Sequence, residues 1–181
     1  MRTRGLPEGP LTRNLLKVSR VLGYLTTLAQ GELPNVDLTK EYPRSVSAKW
    51  QGVVQLGRAI DKAKAKAHGN VGEYNYDCPM DQAIFEFLGI DGEQLLEVVR
   101  NAKGDAEIEA YTRPFIAKKS AEEIEQWNQQ WLQRKASGEG LEYFTTLRDS
   151  IDPSRTDIVT WADVLDLDEK REVPRRSPVP A

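Results

Sequence analysis

Cysteine and histidine are almost missing from this chain: one of each occurs in 181 residues. A single thiol cannot close an internal disulfide, so packing alone must hold the fold, and a reducing, cytoplasmic setting is expected. Cys78 and His68 cannot supply a zinc site of the usual four-ligand kind, so no metal is expected. Long apolar runs are missing too. The longest uncharged stretch, Val21 to Gly31, falls short of the roughly 20 residues that span a bilayer. Lys17 and Arg20 interrupt the one apolar region near the start, and no small-x-small cleavage pattern follows, which argues against a signal peptide. Walker spacing, dinucleotide fingerprints and a Gly-x-Ser-x-Gly elbow are absent, and no cofactor is expected. No alternating apolar run is long enough to build a sheet; Asp157-Ile-Val-Thr160 is the nearest approach.

Charge is present but uneven. Arg2, Arg4, Arg13, Lys17 and Arg20 face Glu8 alone within residues 1–31, while the remainder is net acidic and the whole chain stands at −3. An acidic body argues against a general nucleic-acid binder.

Helical periodicity fills the rest. Leu11, Leu15, Val18, Leu22, Leu25 and Ala29 recur in steps of four and three, so an amphipathic helix is expected over 11–30. Three roles are open to it: packing on the body, a homodimer seam, or an arginine-rich targeting segment. A helix begun at Ser45 or Ser47 would bury Trp50, Val53, Val54, Gly57 and Ile60 and end at Gly69, with Arg58, Lys62 and Lys66 as a solvated basic ridge. Pro79 opens the next helix and Gly89 closes it. Asp91 caps another, and Gly104-Asp105 starts one that should break near Pro114. Ser120 and Glu123 form a capping box before Ile124, Trp127 and Trp131. Leu141, Phe144 and Leu147 mark a further helix, and Thr160 opens a last short one. The expected fold is all-α: one compact domain of seven or eight short helices over 36–171, an N-terminal extension over 1–35, and a disordered tail over 172–181.

The densest polar chemistry lies in Gly72-Glu-Tyr-Asn-Tyr-Asp-Cys-Pro-Met-Asp81. Cys78 sits at a helix start, where free amides and the helix dipole stabilise an anion, so it is the candidate nucleophile. Tyr74 and Tyr76 alternate and in extended chain point the same way, available to stack on a planar ligand. Asp81 can reach back to the helix start; Asp77 is freer. Arg58 and Lys62, ending beside that helix N-terminus, are candidates to hold a phosphate or carboxylate. Asp163, Asp166, Asp168 and Glu169 lack the glycine and terminal Glu of a calcium loop and read as a solvated acidic helix end.

Five separated motifs carry a family resemblance. Asp37-Leu-Thr-Lys-x-x-Pro-Arg-Ser45, Arg58-Ala-Ile-Asp-Lys62, Gly72 to Asp81, Phe87-Leu-Gly-Ile90 and Arg155-Thr-Asp-Ile-Val-Thr-Trp161 together resemble the bacterial domain of unknown function 5069, over about residues 36–171. The resemblance implies a bacterial, cytoplasmic, helical single-domain protein and no particular reaction. Three functions stand open. One is a binding or interaction module for a small anionic ligand, using Arg58, Lys62, Tyr74, Tyr76, Asp77 and Asp81. Another is a thiol enzyme or redox sensor using Cys78, with Asp77 or His68 as proton carrier. The last is an oligomeric scaffold through helix 11–30.

Overall fold

The computed structural model describes residues 36–176, and the helix expected over 11–30 lies outside them. Seven helices occupy the described residues: α1 Leu56–His68, α2 Pro79–Leu88, α3 Gly92–Asn101, α4 Asp105–Ile116, α5 Ala121–Leu132, α6 Gly140–Ile151 and α7 Trp161–Asp168. Extended pairing among them is limited to two isolated bridges, Trp50 with Val53 and Lys135 with Thr160. The all-α architecture expected from periodicity is therefore observed. No helix among the described residues is long and apolar enough to cross a membrane.

Capping chemistry sets most boundaries. Asp91 Oδ1 accepts from the Gln94 amide at 2.8 Å, Ser120 and Glu123 make the reciprocal capping box, and the Thr160 side chain accepts from the Asp163 amide. Pro79 takes the first helical position of α2, where its missing N–H costs nothing. Gly69 and Gly89 close α1 and α2 in the left-handed region. α4 continues through Pro114 to Ile116 instead of breaking there. The proline lies in the last turn, so only one intrahelical bond is lost before the helix ends. α5 ends at Leu132, and Lys135 pairs with Thr160 soon after.

The larger departure is the segment before α1. Residues 45–55 form turns, and the helix starts only at Leu56. Gln51, Gly52 and Gln55 all have positive φ, which a right-handed helix cannot contain. Side chains hold this segment in place. Trp50 Nε1 donates to Thr112 Oγ1 at 3.2 Å. The buried Asn128 accepts from the Val54 amide and donates to the Gly52 carbonyl. The aromatic and aliphatic residues that imitate a helix seam are buried one by one instead.

α1 is the axis of the domain. Every residue from Leu56 to Ala65 is buried, including Arg58, Asp61, Lys62 and Lys64. It packs on α2 and α3, while α7 packs on α5 and α6. Leu56, Ala59, Ile60 and Ala63 join Ile84, Phe85, Leu88, Leu95, Val99 and Ile108 in the main core. Trp131 and Ala162 meet Val46 and Val54 in a second cluster, and Phe144, Ile158 and Val164 form a third. The basic ridge expected to be solvated is thus mostly inside: only Lys66 of Arg58, Lys62 and Lys66 is exposed. Each buried charge has an opposite partner. Arg44 forks onto Asp61, Arg58 onto Glu169, Lys62 pairs with Asp81 and Lys64 with Asp105.

Residues 172–176 lie against the body without regular structure: the Val173 carbonyl accepts from Arg155 and the Arg176 amide donates to Asp157.

Removing one member of a buried pair strands the other. The Arg58 and Glu169 side chains are only 6% and 2% exposed. Glu169→Ala is therefore expected to lower unfolding free energy by about 3–5 kcal/mol, and the double variant Arg58→Met/Glu169→Leu to recover most of it, both read from urea unfolding.

Candidate functional site

The turn after α1 is shaped by a close backbone approach. Gly72 has φ +60°, and a Cβ there would sit 2.7 Å from the Leu38 carbonyl oxygen. Only glycine accepts both conditions. The chain then turns again at Asp77, whose φ is +64°, and enters α2 at Pro79. The two tyrosines, which in extended chain would share a side, take different partners. Tyr76 goes inward against Phe85 and donates its hydroxyl to the Gly92 carbonyl at 2.6 Å. Tyr74 faces the opposite way and donates to Glu169 Oε1 at 3.0 Å.

On the Tyr74 side lies a cleft of about 530 Å³ between α1, the turn, α6 and α7. Arg58, Lys62, Tyr74 and Cys78 of the expected site all line it. Asp81 lies fully buried beneath them. Tyr76 and Asp77 do not line it; Asp77 is exposed, with its carboxylate toward Gly92. His68 is exposed at the far end of α1, its Nδ1 2.8 Å from the Lys64 carbonyl oxygen.

Lys62 is the floor's central cation, and its three protons are all engaged. Its Nζ donates to Asp81 Oδ2 at 2.5 Å, to the Asn75 carbonyl at 3.1 Å and to Cys78 Sγ at 3.3 Å. Asp81 reaches back as expected of a third helical residue, accepting from the Asp77 amide at 3.1 Å. Cys78 itself is half-buried.

Glu169 anchors the other wall. It was expected in a solvated helix end, yet it is 3% exposed and takes hydrogen bonds from Arg58, Tyr74 and Arg171. Lys170 has φ +57°, which turns the chain just past α7 and brings Arg171 back onto both Asp166 and Glu169. Burial opposes the charge on Arg58, but the hydrogen bonds and charge of Glu169 more than offset it and raise the guanidinium pKa. Burial and then the Glu169 charge push the Tyr74 hydroxyl well above its ordinary value. Asp163 and Asp166 are also partnered, by Arg176 and Arg171; Asp168 stands exposed on the rim.

Gln55 completes the floor, and nothing local in the sequence singles it out from a helix interior. It is fully buried and holds φ +68°, ψ −34°, a strained conformation for a side-chain-bearing residue that costs about 1–3 kcal/mol. Its Nε2 donates to Asp81 Oδ1 at 3.2 Å, which fixes the amide orientation, since a flipped amide would set oxygen against carboxylate. Its Oε1 is left without a partner. Glu73 and Met80, from the polar stretch 72–81, and Tyr143, Leu147 and Leu165 close the cleft; the last three were not expected there, because α6 and α7 lie far along the chain.

Residues 40–171 match the family model described as domain of unknown function, DUF5069. The chain belongs to this family. No curated protein matches it. The match spans the DUF5069 domain from just before the Arg44–Asp61 pair to Arg171, so it includes every side chain of the cleft.

Gly72→Ala is expected to destabilise the DUF5069 domain by about 1–3 kcal/mol, from left-handed backbone strain together with the Leu38 clash. Urea unfolding measures it; an unchanged midpoint would show that the turn can shift without cost.

Proposed function

We propose that the DUF5069 domain is a small-ligand-binding module and that its ligand occupies the cleft between α1, the tyrosine-cysteine turn, α6 and α7. The observation that carries this is Gln55: a fully buried carboxamide on strained backbone in a residue that lines the cleft, with one end fixed by Asp81 and Oε1 unpartnered. An unmade buried hydrogen bond costs about 1–3 kcal/mol, and a ligand donor at Oε1 recovers it. The cleft volume of about 530 Å³ falls in the range of small-molecule sites. Its lining pairs an apolar wall of Met80, Leu147 and Leu165 with convergent polar groups, the usual composition of such sites. Arg58 and Lys62, the residues expected to take an anion, already hold Glu169 and Asp81, so they act first as fixed scaffolding for the floor.

A second reading, thiol chemistry at Cys78, is favoured by one contact: the Lys62 ammonium 3.3 Å from Sγ, placed at the start of α2. Neither Asp77 nor His68 lines the cleft, which leaves Lys62 as the proton carrier nearest the sulfur.

Two measurements test these readings. Thermal-shift screening against a broad set of polar metabolites is expected to find stabilising compounds, with about 2.7 kcal/mol added at a hundredfold excess over Kd; a flat response across the set would overturn the binding reading. Iodoacetamide is expected to alkylate Cys78 in the native protein, and a stabilising compound to slow that reaction. Alkylation only after unfolding would remove Cys78 from the cleft's chemistry.

A further inference from the structure

The charges of the cleft do not balance at its mouth. The floor is neutralised by pairing: Lys62 with Asp81, and Arg58 with Glu169, which Arg171 also contacts. Glu73 and Asp168 line the same cleft, are exposed, and have no ion-pair partner among the described residues. The Asp168 carboxyl is pushed up from its ordinary value by burial first and then by the charges of Glu169 and Glu73, against a smaller opposing pull from Arg58. Beside them the exposed ring of Tyr143 offers a π-face, which attracts cations. An anion entering here would pass two unpaired carboxylates to reach cations that already have partners.

The floor asks for something different. Gln55 Oε1 needs a donor, but it lies in a lining that also holds Arg58 and Lys62, so a second positive charge is disfavoured there. Leu147, Leu165 and Met80 line the same cleft and suit a short hydrocarbon stem. Among the described residues no three His, Cys, Asp or Glu side chains converge as metal ligands do, and two carboxylates beside an aromatic ring suit an organic cation better.

Building on the ligand-binding reading above, we infer that the cleft recognises a small organic cation. Its ammonium or guanidinium head sits at Glu73 and Asp168 against Tyr143, and a neutral hydrogen-bond donor at its other end meets Gln55 Oε1. The unligated protein carries a cost at both ends: crowded carboxylates at the rim and an unpaired oxygen at the floor. The raised folded-state pKa of Asp168 means that its contribution to stability is present at low pH and is lost as pH rises through that value. Neutralising this residue therefore favours the empty protein while it weakens the bound state, two effects of opposite sign from one substitution.

The test uses four small probes with the full-length protein. 4-Aminobutanamide carries both the cation and the neutral donor; butanamide carries only the donor; glutarate and inorganic phosphate carry negative charge. In amide NMR titrations at millimolar concentration, 4-aminobutanamide is expected to shift the Gln55 side-chain NH2 pair and the Asn75 and Cys78 amides. Butanamide should bind several-fold more weakly, and the two anions should leave these signals in place. Asp168→Asn is expected to weaken 4-aminobutanamide binding by up to about fivefold, the scale of an exposed charge pair, and to raise the melting temperature of the unligated protein at neutral pH. High salt should weaken binding as well. Three results would overturn the inference. Glutarate or phosphate shifting these signals in place of 4-aminobutanamide would leave a binding cleft with the opposite charge preference. Binding of 4-aminobutanamide indifferent to both Asp168→Asn and salt would mean that the rim charge is not read. Silence from all four probes would reject this ligand class, while the broad thermal-shift set decides separately whether the cleft binds anything.

Discussion

The domain is organised around charges placed inside a helix. Arg58, Asp61, Lys62 and Lys64 are all buried on α1, where an unpaired charge would be untenable. Each must therefore find its partner before α1 can take its central place, and the partners come from every quarter of the chain: Arg44 before it, Asp81 in α2, Asp105 at the start of α4 and Glu169 just past α7. Apolar packing makes the core compact. The ion pairs determine which element stands beside which stretch of α1, because hydrophobic contact is indifferent to register and a fork of Arg onto carboxylate is not.

This arrangement also explains what could be read in the sequence and what could not. Local rules located the helix ends well. Asp91, Ser120 with Glu123, and Thr160 act within three residues of themselves, and Pro79, Gly69 and Gly89 act through their own backbone. The same locality failed for residues 45–55. Spaced apolar residues there imitate a helix, while the observed turns, with positive φ at Gln51 and Gln55, are held by bonds of Gln51 to Thr112, of Gly52 and Val54 to Asn128 and of Gln55 to Asp81, all far along the chain. The basic spacing on α1 was visible, but its burial was not, since Arg58 meets a carboxylate 111 positions away. Glu169 looked like one more acidic residue at a helix end for the same reason.

For the cleft, four of the residues expected together do meet: Arg58, Lys62, Tyr74 and Cys78. The shared turn and the end of α1 bring them close with little help from the rest of the chain. Tyr76 was lost from the group because its ring packs on Phe85 and its hydroxyl donates to the Gly92 carbonyl, contacts made further along the chain in α2 and α3. Gln55 was missed because its significance lies in what its oxygen lacks, and only a full account of hydrogen bonds in three dimensions can expose that. The cations acquire a different meaning from their surroundings. With Asp81 and Glu169 against them, they are neutralised within the floor, where Asp81 also orients the Gln55 amide, and Glu73 and Asp168 are left unpaired at the opening.

Arg171 donates to the Pro43 carbonyl, and these two residues stand almost at the limits of the family-matched segment, 40–171. The domain consequently begins and ends at one place on its surface. A module closed in this way can be spliced into a loop of another protein, or have its own ends joined and be opened elsewhere, without stretching its scaffold. The exposed turn at Ser137 and Gly138, just before α6, would be a natural place to reopen it. The ion pair network that serves the cleft thus also acts as a clasp, making the unit portable as a building block.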